Sequence, residues 1–139
     1  MQGYNCIMIF SPDGRKVLFC KRISDPYKGL YNFVGGKIEP GEDGAEAAYR
    51  ELLEETGIGR DDVELSHMMD FTYYNQDCYV ETYVGRLKRD VVLREEKHPL
   101  CFLGRDEDFF DVERFAGEGN IGHMMIQADT FGWGKRADE

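Results

Sequence analysis

Between Gly36 and Ile58 the chain reads GKIEPGEDGAEAAYRELLEETGI, with seven acidic residues on a segment whose apolar residues recur at helical spacing. Ala45, Ala48, Tyr49, Leu52 and Leu53 recur every three or four positions, and Gly57 offers a stop, so a helix is expected over Asp43–Thr56. On it Glu51 and Glu55 are i,i+4 and Glu51 and Glu54 i,i+3, which crowds their carboxylates onto one stripe. Like charges so placed cost an isolated helix a few tenths of a kcal/mol per pair, and more when partly buried. A stripe that simply faces water is one reading. The surroundings point to another. Arg50 stands four residues after Glu46 and four before Glu54, where it can brace a carboxylate, and Gly35-Gly36 and Pro40-Gly41 supply a loop that can bring main-chain carbonyls beside the acids. Oxygen ligands converging from a helix and a loop suit a hard divalent cation such as Mg2+ or Mn2+.

The rest of the chain reads as one mixed α/β unit over residues 1–139, with no repeat or linker. Tyr4–Phe10 and Lys16–Lys21 are apolar runs around Ser11-Pro12-Asp13-Gly14, a strong turn signal, and form a hairpin. Residues 24–31 read as a loop leading to Asn32-Phe33-Val34. Strands are expected at Phe71–Tyr74 and Cys78–Leu87, around the break Asn75-Gln76-Asp77, and at Leu100–Leu103. Asn120–Thr130 places Ile121, Met124, Met125 and Ala128 at helical spacing, with the Met residues as core filler.

Composition removes several function classes. No apolar run is long enough to span a membrane, and Met1–Phe10 lacks the pattern of a secretory signal, so a soluble, cytoplasmic protein is expected. Cys6, Cys20, Cys78 and Cys101 are too scattered for a zinc or redox motif, and reduced thiols are expected. A net charge of -10 repels the backbone of long nucleic acids. A small anionic substrate remains accessible if metal ions enter with it. Either a monomer or a homodimer is compatible with the sequence.

Gly36, Glu42, Arg50-Glu51, Leu52, Glu54-Glu55, Gly57 and Ile58 match G-x5-E-x7-R-E-U-x-E-E-x-G-U, where U is a bulky apolar residue, at every defined position. In this the chain resembles the Nudix hydrolases, whose resemblance implies an α/β/α sandwich with a mixed sheet and metal-dependent cleavage of a diphosphate linkage. It further implies Glu54, Glu55 and the Gly36 carbonyl as metal ligands, Glu51 as a ligand or the base that activates water, and Arg50 as the residue orienting them. Glu42 would hold the loop against the helix, while Ala48 and Leu52 pack it. A further ligand or base often follows the fourth or fifth strand, where Glu95 and Glu96 stand nearest.

Leu18–Arg22 and Asn32–Lys37 resemble the MutT-like subgroup, which acts on oxidised nucleoside triphosphates such as 8-oxo-dGTP. By that resemblance Lys21 or Arg22 approaches phosphate or base, and Phe33 packs near the purine. Asn120 either reads a purine edge with its amide or caps the last helix. Tyr73 and Tyr74 lie where diadenosine-polyphosphate hydrolases stack a tyrosine, or serve as sheet packing. Dinucleoside polyphosphate, ADP-ribose or nucleotide-sugar hydrolysis, and a catalytically silent nucleotide sensor, are the alternatives. His67, His98, His123 and Trp133 have no assigned role.

Overall fold

The computed structural model describes residues 1–134. Its strands are β1 (Gln2–Phe10), β2 (Lys16–Lys21), β3 (Tyr31–Asn32), β4 (Ser66–Tyr73), β5 (Cys78–Arg86) and β6 (Leu100–Gly104), and its helices α1 (Gly44–Thr56) and α2 (Asn120–Thr130). The sheet runs β3-β2-β1-β5-β4, with β6 on the other side of β2. β1 and β5 are parallel and the other pairs antiparallel, so the sheet is mixed.

Alternation along β1 explains the layers. Ile7 and Ile9 enter a core with Leu18, Val34, Ala48 and Leu52, which brings α1 onto one face. Met8 and Phe10 enter a second core with Phe19, Phe115, Ile121 and Met124, which brings α2 onto the other. With period-two side chains and both faces covered, β1 becomes an unbroken buried run from Ile7 to Phe10. The result is an α/β/α sandwich.

The expected hairpin is present, but its strands splay. β1 and β2 pair only at Phe10 and Val17 beside the turn. Residues 31–37 wedge into the gap, with Asn32 on Cys20, Val34 on Ile7 and Lys37 on Tyr4. Tyr31, read as loop, is therefore strand. β4 begins at Ser66, ahead of the expected Phe71, and contains a register shift between His67 and Met69. Tyr74 leaves the strand for a short 3-10 turn and is 81% exposed.

α1 starts where Asp43 accepts a hydrogen bond from the Glu46 N–H at 3.3 Å, and ends at Gly57, whose φ of 80° is left-handed and whose N–H donates to the Leu53 carbonyl. Ala47, Ala48, Leu52 and Thr56 form its buried stripe, whereas Leu53, read as part of that stripe, is 48% exposed. The apolar spacing spans a wider arc than the face that meets the sheet. No helix among the described residues is long and apolar enough to cross a membrane.

Candidate active site

The wedge delivers Gly35 and Gly36 to the buried Asn5 of β1. The Gly36 N–H donates to the Asn5 side-chain oxygen at 2.9 Å, and the Asn5 N–H donates to the Gly36 carbonyl at 2.8 Å. The Gly35 N–H donates to the Glu55 carboxylate at 3.0 Å. A Cβ on Gly36 would stand 2.5 Å from the Glu51 carboxylate carbon, so glycine is what lets loop and helix meet.

Arg50 ties the helix to the loop. Its guanidinium reaches Glu42 at 2.8 and 2.9 Å, Glu51 at 3.1 Å, Glu54 at 3.4 Å and the Lys37 carbonyl at 3.1 Å. The Arg50 hydrogen bond, followed by the Glu39 N–H, holds the Glu42 carboxyl down at about 2. Glu42, though remote from the stripe in sequence, is thereby drawn into it.

The three stripe carboxylates have unequal surroundings. The Glu54 side chain is 53% exposed and the Glu51 side chain 14%. Burial, partly offset by Arg50, raises the Glu51 pKa, with Glu54 and Glu96 adding to the rise. Burial pushes Glu55 up to about 7, and Glu51 and Glu96 contribute to that. The Glu96 charge, in the loop before β6, is thus felt by both Glu51 and Glu55. Glu95 instead accepts the Leu100 N–H at 2.7 Å.

Among the described residues no three His, Cys, Asp or Glu groups already converge on one point as a cation site. The donor chemistry nevertheless fits a hard divalent cation: half-buried carboxylates whose pKa values are raised first by burial and then by one another, and a Gly36 carbonyl with a second lone pair. Glu51, Glu54, Glu55, Glu96 and Gly36 are the groups that would hold it.

A cavity of about 860 Å³ opens beside Glu55, Gly35 and Gly36 and runs across the sheet to α2. Arg22, Phe33 and Asn120 line it. Lys21 does not: its ammonium lies 5.5 Å over the Tyr31 ring. Phe33 is held by stacking on Phe19 at 4.8 Å. α2 does begin at Asn120, but Gly119 is its cap and no side chain caps it, so the N-cap reading of Asn120 is incorrect. The Asn120 amide donates instead to the Tyr73 hydroxyl at 2.5 Å. Tyr73 lines the cavity too, whereas Tyr74 does not.

Sequence reasoning missed several cavity residues. Cys6, Cys20 and Cys78 share its wall, and burial foremost pushes the first two thiols up to about 12 and 11, leaving them protonated. All four cysteines are free. Tyr27 and Glu118, both at positive φ, meet across the cavity through the Tyr27 hydroxyl and both carboxylate oxygens, at 2.7 and 2.8 Å. His98 is another. Alternation in β1, β2 and β5 could have signalled the cysteines; nothing local signalled the loop residues. Trp133 packs against the core beside α2, and its carbonyl accepts from Arg86.

The NUDIX domain family matches residues 2–120. RNA pyrophosphohydrolase of Pseudomonas putida is 41% identical over 130 residues, 93% of this chain and 72% of that protein. The fold is shared with an Ap4A hydrolase of C. elegans, at a TM-score of 0.75 and 17% identity over 94% of this chain and 97% of that one. It is also shared with a MutT structure from a study of Aliivibrio salmonicida and Vibrio cholerae, at 0.68 and 24% over 91% and 98%. Members of the family generally use divalent metal ions. The acid-and-glycine motif, the sandwich that assembles it and the match over most of the chain agree: this protein belongs to the Nudix family and is a pyrophosphohydrolase.

Proposed function

We propose that the protein hydrolyses the 5′-triphosphate of a purine nucleotide, with the phosphates at the Glu55 end of the cavity and the base between Phe33 and Asn120. The observation that carries this is the cavity itself, which joins a carboxylate cluster to an aromatic and an amide. Magnesium is the expected ion, and when bound it would neutralise phosphate charge and acidify water.

The chain's own residues do the rest. Arg50 fixes one oxygen of Glu51 and leaves the other free to accept a proton. A water oxygen bonds to phosphorus, the bridging phosphorus–oxygen bond breaks, and the water proton passes to a carboxylate. Nucleoside monophosphate and pyrophosphate result when the α–β bridge is cut. Arg22 offers charge to the phosphates from the cavity wall, and Phe33 offers a ring to the base.

Two sources of such a triphosphate are the free nucleotide, of which 8-oxo-dGTP is the form suggested by the MutT resemblance, and the 5′ end of an RNA, suggested by the relatives 41% identical. The charge of -10 favours contact with a terminal nucleotide over contact with a long backbone. Comparing kcat/KM with magnesium for 8-oxo-dGTP, dGTP, a 5′-triphosphate oligoribonucleotide, Ap4A and ADP-ribose tests the reading. A preference for either of the last two overturns it. Asn120→Ala should lower kcat/KM for the preferred purine by about tenfold or more through the unpaired base edge.

A further inference from the structure

We propose that His98 is a phosphate-binding residue of this site, donating its Nε2–H to an anionic oxygen of the substrate. The three histidines have different surroundings. His67 is stacked on Tyr83 and bonded to Asp70 at the surface, and His123 meets the Phe110 ring edge-on. His98 lines the cavity, half-buried, in a wall that also holds Arg22 and Glu55.

Its ring is oriented by the main chain. The Ile23 N–H donates to Nδ1 at 3.0 Å. An Nδ1 that accepts carries no proton, so the proton sits on Nε2 and that nitrogen is a donor. Among the described residues Nε2 donates to no protein acceptor. The loop that carries His98 is pinned on both sides: the Lys21 N–H donates to the Pro99 carbonyl at 2.9 Å, and the Leu100 N–H donates to Glu95 at 2.7 Å. Ile23 follows Arg22, so one turn of chain aims both the guanidinium and the imidazole.

A preoriented donor without a partner, held by the residue that follows Arg22 and lining the same cavity as Glu55, suits a phosphate oxygen. This rests on the reading that the phosphates lie at the Glu55 end. It gives the site a neutral donor that adds no repulsion toward a bound cation, unlike a second arginine.

The two nitrogens can be separated by substitution. In His98→Asn the amide oxygen can take the Ile23 N–H, but nothing reaches the Nε2 position. In His98→Gln the amide nitrogen reaches that position. The proposal expects KM for the preferred triphosphate to rise about tenfold or more in His98→Asn, with kcat changed far less, and to recover substantially in His98→Gln. A role confined to holding Ile23 expects the reverse order, and that result overturns the proposal. A second readout uses the wild-type protein and inorganic pyrophosphate with magnesium, following the His98 ring nitrogens by proton–nitrogen NMR. The Nε2 resonance should shift while Nδ1 stays at its acceptor position; an unmoved Nε2 overturns the proposal. If pyrophosphate shifts Nε2 but no triphosphate is turned over, the proposed function fails and the His98 assignment stands.

Discussion

Arg50 serves Glu42, Glu51, Glu54 and the Lys37 carbonyl from one guanidinium, a geometry that a point-charge lysine cannot reproduce. Arg50→Gln should therefore loosen loop and helix together and lower kcat roughly a hundredfold or more. Its stability deficit has a defined pH window. The folded Glu42 pKa, about 2, lies below the ordinary 4.5, so the stabilisation is complete above 4.5 and disappears as pH falls through about 2. Melting curves of variant and wild type should converge across that interval; a constant gap would show that Glu42 is not the partner that matters.

Glu55 behaves oppositely. Its folded pKa of about 7 lies above the ordinary 4.5, so the folded state holds the proton more tightly and stability declines as pH rises from 4.5 through 7. In metal-free protein, Glu55→Gln should raise Tm at pH 8 and leave it nearly unchanged near pH 4.5, while activity with magnesium is lost. A lower Tm at pH 8 would mean that ionised Glu55 is already compensated in the fold.

Within α1, stability and chemistry occupy opposite ends. Asp43 caps the first turn, far along the helix from Glu51, Glu54 and Glu55. Asp43→Ala should cost about 1 kcal/mol in denaturant unfolding and leave kcat/KM nearly intact. Gly36→Ala should do the reverse. Its methyl would meet the Glu51 carboxylate at 2.5 Å, and because Arg50 pins that carboxylate, relief comes only by moving it off station. A large fall in kcat with a small change in Tm is expected; equal effects of the two variants on activity would contradict this division.

At the scale of the whole molecule, the α2-side core doubles as the back wall of the cavity. Phe19 stacks on Phe33 at 4.8 Å and meets Phe109 and Phe115 at 5.8 and 5.5 Å. Phe19→Ala should cost about 3–5 kcal/mol in urea denaturation. It should also raise KM, since Phe33 loses the ring that steadies it; unchanged KM in the folded variant would remove Phe33 from substrate binding.

The sequence by itself determined the elements whose signals are local. Asp43, the apolar spacing and Gly57 delimit α1, Ser11–Gly14 turns the hairpin, and Ile121, Met124, Met125 and Ala128 mark α2, because caps, turns and periodic faces are read from neighbours in the chain. The motif likewise named Gly36, Arg50, Glu51, Glu54 and Glu55. Ser66–Asp70 escaped because His, Met and Asp show no alternation, and their strand exists only through pairing with β5. The wedge of residues 31–37 between β1 and β2 was equally invisible, since no local rule says that hairpin strands will part. Only that wedge brings Gly35 and Gly36 to Asn5, and only the assembled molecule puts Arg22 on the cavity wall and the Lys21 ammonium over Tyr31. The Glu96 charge felt by Glu55, the Asn120–Tyr73 bond and the position of His98 depend on residues far apart in the chain. Such contacts arise when both faces of the sheet are buried at once, which is a property of the packed molecule and not of any one segment.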